Sequence, residues 1–257
     1  MNLSKVSAAA GLKAQQARID MIANNVANVN TIGYKSGRLN FKDSMYAAGF
    51  SPGPARSPDG NQQKGHGVLI CSISSNLTPG VIQRTDRDLD FAIEGRGFFE
   101  LGDLNGNLFY TRNGNFNLSA EPDGTFLVNA AGLYVHDRDG NRIIVPPGTN
   151  AISVGEDGTI RFIGGEEETT SSIAVVMFRN ITGLEAVGDS NFVETPASGE
   201  KFQSPYAVVR QGALEGSNVN LAQEMTRLIR TQRAFQLASR ALTTADEMEG
   251  IANNMRR

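Results

Sequence analysis

The feature that most constrains this chain is an apolar three–four spacing confined to its two ends. Over residues 3–30, Ala8, Leu12, Ile19, Ile22, Val26 and Val29 fall on alternating four- and three-residue steps, and Gln15 is the single polar member of the series. On a helix this spacing makes a narrow seam of coiled-coil type. Lys13, Gln16, Arg18, Asp20 and Asn24 lie between the seam positions and suit a wet face. Asn30, Thr31 and Gly33 supply the turn chemistry that ends a helix. The far end repeats the design: Leu221, Met225, Leu228, Phe235, Ala238, Leu242, Ala245, Met248, Ala252 and Met255 keep the spacing, interrupted by Gln232 and Ser239 and weakened by Gly250. With Asn218 or Asn220 as its cap, that helix starts near Leu221 and reaches about 50 Å, too long for the core of a small domain.

A seam on a single helix needs another helix to bury it. The partners available are the other end of the chain and the ends of neighbouring copies. Isolated helices of this kind are marginal in water and order on assembly. Periodicity gives equal weight to self-assembly and to an intramolecular helical hairpin that only caps the middle of the chain. The assembly-seam residues are Leu12, Ile19, Ile22, Val26, Val29, Leu221, Met225, Leu228, Phe235, Leu242 and Met248.

Between the ends lie short alternating or apolar runs: Val68–Ile73, Leu108–Arg112, Thr125–Asn129, Thr159–Ile163, Ile173–Phe178 and Tyr206–Arg210. Asn105-Gly106, Asn113-Gly114, Asp123-Gly124, Asp139-Gly140 and Asp157-Gly158 separate them, each suited to positive φ in a tight hairpin. The predicted class is α+β: terminal helices forming a paired, coiled-coil-like domain, with an inserted all-β, antiparallel, barrel-like middle. The predicted segments are an N-terminal assembly helix (1–34), an extended loop and connecting strand region (35–80), a β-rich middle (81–212) and a C-terminal assembly helix (213–257). Within the second, residues 49–66 are rich in Gly, Pro, Ser, Asn and Gln and read as an extended or mobile loop.

Composition narrows the function. One cysteine, Cys71, excludes an internal disulfide, and two histidines leave little for a zinc site. No cleavable signal peptide and no apolar stretch of membrane-spanning length is legible. Residues 1–42 carry six Lys/Arg against one acid and residues 217–257 six against four, so the middle is strongly acidic. The basic residues are spread along helices without a run or interleaved aromatics, which argues against nucleic acid. Asp86, Asp88 and Asp90 alternate as if on one wet strand face. Asp103-Leu-Asn-Gly-Asn107 and Asp137-Arg-Asp-Gly-Asn141 resemble fragments of calcium loops but lack the distant bidentate glutamate, and hairpin turns explain them. His66 and His136 have no recognisable nucleophile setting, and no nucleophile elbow, phosphate loop or HExxH motif occurs. The reading is therefore of a non-enzyme with no cofactor, metal, catalytic residue or membrane span. Two rivals stay open: a peptidoglycan-cleaving enzyme, which needs paired carboxylates in a cleft, and a scaffold module whose helices only dimerise.

Four motifs in order break the tie between hairpin and assembly. The run Ile22-Ala-Asn-Asn-Val-Ala-Asn-Val-Asn-Thr-Ile-Gly-Tyr-Lys35 resembles the N-terminal signature of flagellar rod and hook proteins. Ala92-Ile-Glu-Gly-Arg-Gly-Phe-Phe99 and Tyr110-Thr-Arg-Asn-Gly-Asn-Phe116 resemble the middle of those proteins. Leu214-Glu-Gly-Ser-Asn-Val-Asn220 and Ile229-Arg-Thr-Gln-Arg-Ala-Phe235 resemble their C-terminal signature. By length and by the Thr-Gln-Arg-Ala-Phe run the chain is most similar to the distal-rod members; a proximal-rod relative with the same middle domain is the alternative. The family-motif residues are Asn24, Asn25, Asn28, Asn30, Gly33, Asn218, Gln232 and Arg233. The resemblance implies a structural subunit that stacks helically on copies of itself into a tubular drive shaft, its helices forming the inner tube and its β domain outside. It also implies other rod and hook proteins, and the surrounding ring proteins, as partners. It places the chain in the flagellar basal body, spanning periplasm and cell wall, after export by the flagellar type III apparatus. Phe41-Lys-Asp-Ser-Met45 resembles a short export element of such substrates. For the four asparagines, two roles stay open: fixing stacking register, or ending and solvating a helix.

Overall fold

The computed structural model describes residues 3–44, 46–48, 63–65, 67–164, 170–204 and 207–255. The expected loop at 49–66 therefore falls largely outside the described residues, apart from a short strand, Gln63–Gly65. The chain divides into two compact units, one of residues 1–27, 37–74 and 220–257, the other of residues 28–36 and 75–219.

The first unit holds the two helices, α1 (Leu3–Ala27) and α2 (Leu221–Met255). They pack along each other, and α2 has no other substantial neighbour among the described residues. Asn220 caps α2: its Oδ1 accepts from the Gln223 N–H at 3.1 Å, satisfying one of the free donors of the first turn. Helix α1 stops at Ala27, short of the expected Asn30, so Val29 lies past its end in the other unit. The unit also contains the paired strands Gly37–Asp43 and Val68–Ser75, and the antiparallel pair Tyr46–Ala48 and Gln63–Gly65.

The second unit is β-rich. Its largest sheet runs Ile144–Val145, Gly124–Asn129, Tyr134–Val135, Phe98–Gly102, Leu108–Thr111, Asn191–Val193, Glu185–Gly188. Phe116–Glu121 pairs with Gly124–Asn129, and Val175–Phe178 pairs with both Phe98–Gly102 and Lys201–Gln203. A three-stranded sheet, Ala151–Val154, Thr159–Ile163 and Thr170–Ser172, is separate, as are two small pairs, Val208–Gln211 with Phe91–Glu94 and Ala213–Glu215 with Ile82–Arg84. All these pairings are antiparallel, and among the described residues the sheets are open, with no closed barrel.

The core follows from alternation along these strands. Phe91, Phe99, Leu101, Phe116, Val135 and Ile160 form the main cluster, and Phe98, Tyr110, Phe178 and Phe192 a second. Tyr110 and Phe178 meet edge to face at 4.8 Å between ring centroids. The hairpin at Asn105-Gly106 forms as expected, with Gly106 at φ +82° between paired strands. Asn113-Gly114 does not. Its flanking strands pair with other partners, and Gly114 serves close approach instead: a Cβ there would lie 1.7 Å from the Phe91 carbonyl oxygen.

Candidate functional site: the terminal helices and a buried ionic clamp

On α2 the buried and half-buried positions Glu224, Leu228, Thr231, Phe235, Ala238, Leu242 and Ala245 recur in three- and four-residue steps. Since α1 is the neighbour that covers α2, this is the side turned to α1. Two of its members are polar: Glu224 pairs through Oε1 with Arg227 while its Oε2 is buried without a partner among the described residues, and the Thr231 hydroxyl donates to the Arg227 carbonyl at 2.7 Å. The matching residues of α1 are Ala14 and Ile22, both buried, with Leu12, Ile19 and Val26 half-buried.

A second apolar set on α2 is exposed. Leu221, Met225, Ile229, Leu237, Met248, Ile251 and Met255 are 41–80 % exposed. At 100° per residue they fall on the flank and back of the helix away from the buried side. The predicted seam thus splits: Leu228, Phe235 and Leu242 are half-buried, whereas Leu221, Met225 and Met248 are exposed. Gln232 and Arg233 are exposed as well.

The asparagine block does several jobs. Asn25, 2 % exposed, accepts from the Gly37 N–H at 2.8 Å and donates to the Gly37 carbonyl at 3.0 Å, pairing the side chain with the first residue of a strand as a neighbouring strand would. Asn28 accepts from the Thr31 hydroxyl at 3.1 Å in the turn after α1. Asn24 and Asn30 are exposed.

In the β-rich unit, the residues following α1 and those preceding α2 are bound together by a buried ionic clamp. Glu215 is its centre. Its carboxylate accepts from Lys35 Nζ, from Arg112 Nη1 at 2.8 Å and from the Gly80 N–H at 2.7 Å, and the three side chains are 1–3 % exposed. Arg112 also donates to the Ile93 carbonyl at 3.1 Å and the Gly95 carbonyl at 2.6 Å, and Lys35 donates to the Thr78 carbonyl at 2.9 Å. The Gly33 N–H donates to the Glu215 carbonyl at 2.8 Å. Gly33 sits at φ +66°, and a Cβ there would lie 2.6 Å from the Asn113 backbone nitrogen, so both conformation and space demand glycine. Asn218 completes the join: its Oδ1 accepts from the Ser36 N–H at 2.8 Å and its Nδ2 donates to the Asn76 and Thr78 carbonyls.

Of the motif residues, Gly33 and Asn218 therefore meet in one place. Lys35, Arg112 and Glu215 belong to three of the quoted motifs, yet sequence reasoning did not single them out. Spacing could not have paired them, because Lys35 and Glu215 lie 180 positions apart.

The electrostatics have a sign that can be tested. Burial alone pushes the Glu215 carboxyl up; the Arg112 and Lys35 charges and the Gly80 N–H outweigh it and hold the group below its ordinary 4.5. Burial lowers Lys35 and Arg112, with Glu215 opposing in each. Glu100 is also held low, since Lys201 and His136 overcome its burial. For carboxyls depressed in the folded state, the contributed stability is present above the ordinary carboxyl range and is lost as pH falls through the lowered value. The thermal midpoint of the β-rich unit is expected to hold steady from neutral pH down to about 5 and to fall below about 4.5. Glu215→Gln should flatten that acid limb, with Glu100 left as the remainder; calorimetry across the pH series reads both.

Asp86, Asp88 and Asp90 share no strand: Asp86 sits at φ +56°, whereas Asp90 is buried and accepts from Asn115 Nδ2 at 3.2 Å. Asp103 accepts from the Leu104 N–H at 2.7 Å, and Asp137 from the Arg138 N–H at 2.6 Å, so each closes its own turn. No described helix is long and apolar enough to cross a membrane.

Two packed terminal helices, an antiparallel β unit between them in sequence and a clamp that joins their flanking segments define a structural subunit. Comparison with known proteins gives the family. Residues 7–35 match the model described as flagella basal body rod protein, residues 92–162 the flagellar hook protein FlgE/F/G D1 domain, and residues 210–255 the flagellar basal body rod FlgEFG protein C-terminal region. The flagellar basal-body rod protein FlgG of Borreliella burgdorferi is 36 % identical over 98 % of this chain and 97 % of its own. That of Bacillus subtilis is 34 % identical over 99 % of each, and that of Agrobacterium fabrum 36 % identical over 96 % of each. The chain belongs to the flagellar basal-body rod protein family, on its FlgG branch, and is a structural subunit of the distal rod rather than an enzyme.

Proposed function

We propose that this subunit polymerises through its terminal helices into the tubular wall of the rod, with α1 and α2 paired in coiled-coil fashion inside each subunit and the exposed apolar residues of α2 meeting neighbouring copies. The observation that carries this reading is the split of α2 into two apolar sides, one spent on α1 and one left in water. Seven large hydrophobics exposed on one helix are a contact surface in waiting. Both kinds of seam residue serve assembly: Leu12, Ile19, Ile22, Val26, Leu228, Phe235 and Leu242 build the pair, and Leu221, Met225 and Met248 join pairs. Asn25, Gly33 and Asn218 fix how the ends leave their flanking segments; Val29, Asn24, Asn28, Asn30 and Arg233 belong to the same assembly region.

The partners in this reading are copies of the chain, then other rod and hook proteins at the ends of the segment, then the surrounding ring proteins. Export by the flagellar type III apparatus delivers the subunit beyond the inner membrane; of the export element, Phe41, Lys42, Asp43 and Ser44 lie among the described residues, with Phe41 37 % exposed on the strand Gly37–Asp43, and Met45 lies outside them. Phe235→Asp tests the proposal. The β-rich unit is expected to keep its thermal transition while the variant fails to enter rods; incorporation equal to that of the parent chain would contradict the reading.

A further inference from the structure

The paired strands Gly37–Asp43 and Val68–Ser75 of the helical unit leave half of one sheet face bare. Asn40 Nδ2 donates to Ser72 Oγ at 3.2 Å and to Ser74 Oγ at 3.1 Å, so these three side chains share a face. Successive side chains alternate along a strand, which puts Leu39 and Phe41 on the opposite face together with Leu69, Cys71 and Ile73. Helix α1 covers the Gly37–Asp43 half of that face: Leu39 is half-buried, and the Arg18 guanidinium lies over the Phe41 ring, 5.8 Å from its centroid. The other half has no such cover. Leu69 is 56 % and Ile73 64 % exposed, Cys71 is exposed, and the strand Val68–Ser75 has no second strand partner among the described residues. A two-stranded sheet is marginal in water unless a helix or a further strand packs on it.

The end of α2 is a helix in the matching condition. Beyond Ala245 every residue of α2 whose side chain is described is exposed, Met248 and Ile251 among them at 65 % and 58 %. Charge selects this end over the rest of the helix. Residues 221–240 carry Arg227, Arg230, Arg233 and Arg240 against Glu224, whereas residues 241–255 carry Asp246, Glu247 and Glu249 and no base. Arg256 and Arg257 come only after Met255, so Met248 and Ile251 are flanked by acids alone. The strand pair brings Arg38 and Lys42 against Asp43, and Arg18 stands over it. Like charge keeps the earlier stretch of α2 off this face, and opposite charge draws the later one to it.

We propose that the acidic end of α2 from a second copy of the chain lies on this face, with Met248 and Ile251 against Leu69, Cys71 and Ile73. The inference rests on the reading that the helices polymerise, and it names the surface that receives part of the exposed apolar set of α2. The two surfaces differ, so a copy that donates its helix end still offers its own strand face. Such a heterologous contact builds rings or open filaments rather than closed pairs.

The test uses the full chain. The critical concentration for assembly is measured by sedimentation, and the thermal midpoint is measured on the same chain when dilute. Ile73→Glu and Ile73→Lys place opposite charges on the receiving face at a position already in water, so both should leave the dilute midpoint unchanged. Against an acidic helix end, Ile73→Glu is expected to raise the critical concentration about tenfold or more above that of Ile73→Lys. Equal values overturn the proposal, and so does a higher value for Ile73→Lys, which would seat the basic stretch of α2 there instead. A cross-link reads the occupant directly, because Cys71 is the one cysteine in the chain. Oxidation of assembled Ile251→Cys is expected to give covalent dimers in which peptide mass spectrometry finds Cys71 joined to position 251, and Ile229→Cys no such link to position 229. A link to position 229, or none to position 251, overturns the proposal as well. Failure of the underlying reading looks different: Phe235→Asp then assembles like the parent, whichever residue stands at position 73.

Discussion

Glu215→Ala is expected to destabilise the β-rich unit by about 3–5 kcal/mol, which for a unit of this size is a fall of about 10 °C or more in Tm. The loss does not measure the attraction in the clamp. Taking Lys35, Arg112 and Glu215 out of water costs several kcal/mol per ion, and their mutual attraction offsets much of that without a large surplus. Alanine leaves Lys35, 1 % exposed, and Arg112, 3 % exposed, facing each other with no anion between them. The Gly80 N–H loses its acceptor in the same step. A second variant separates these causes. Lys35→Met with Glu215→Gln leaves one buried cation instead of two and should recover part of the loss. Urea denaturation followed by tyrosine fluorescence measures both, and a loss under about 1 kcal/mol in Glu215→Ala would show that water or a shifted lysine compensates. The clamp's value to the protein lies in connectivity. It ties residues 33–36 to residues 215–218, the two segments of the β-rich unit that adjoin the helices in sequence.

The sequence made some of this plain and hid the rest for identifiable reasons. The two helices were legible because a three–four apolar spacing sustained over many turns has no strand equivalent, and Asn220 marked where α2 begins. The strand at Thr159–Ile163 and the turn at Gly106 followed from alternation and from a residue pair suited to positive φ. The phase of α2 was not legible. Periodicity finds apolar rows but does not say which row meets the partner, and here the buried side includes Glu224 and Thr231 while Leu221 and Met225 stay in water. Asn113-Gly114 read as a hairpin because turn chemistry and close backbone approach both select glycine. The clamp was hidden most completely. Its three ions looked like ordinary surface charges inside motifs, and only the fold brings together positions separated by 103 and 180 residues. The open sheets replace the expected barrel-like middle because no strand pair joins the first and last members of the main sheet among the described residues.

The exposed row of α2 carries the other large effect. Ile229 is 52 % and Leu237 67 % exposed. Burying such a side chain in a neighbour contributes about 1.5–3 kcal/mol. Aspartate at both positions removes that and asks a carboxylate to lose its water at each contact, so the combined penalty exceeds about 4 kcal/mol, or roughly a thousandfold in affinity. Within one chain the same change is nearly neutral, because both residues already face solvent and neither contributes to the pairing of α1 with α2. This opposition between assembly and fold separates the account from the intramolecular hairpin, for which the exposed row has no task. The decisive measurement is sedimentation of the Ile229→Asp, Leu237→Asp chain beside the parent over a range of concentrations, with helicity recorded on the same samples. The expected result is parental helicity, a parent that extends into long polymers and a variant that stays monomeric. A variant that polymerises at the parental concentration with its helices intact would contradict it.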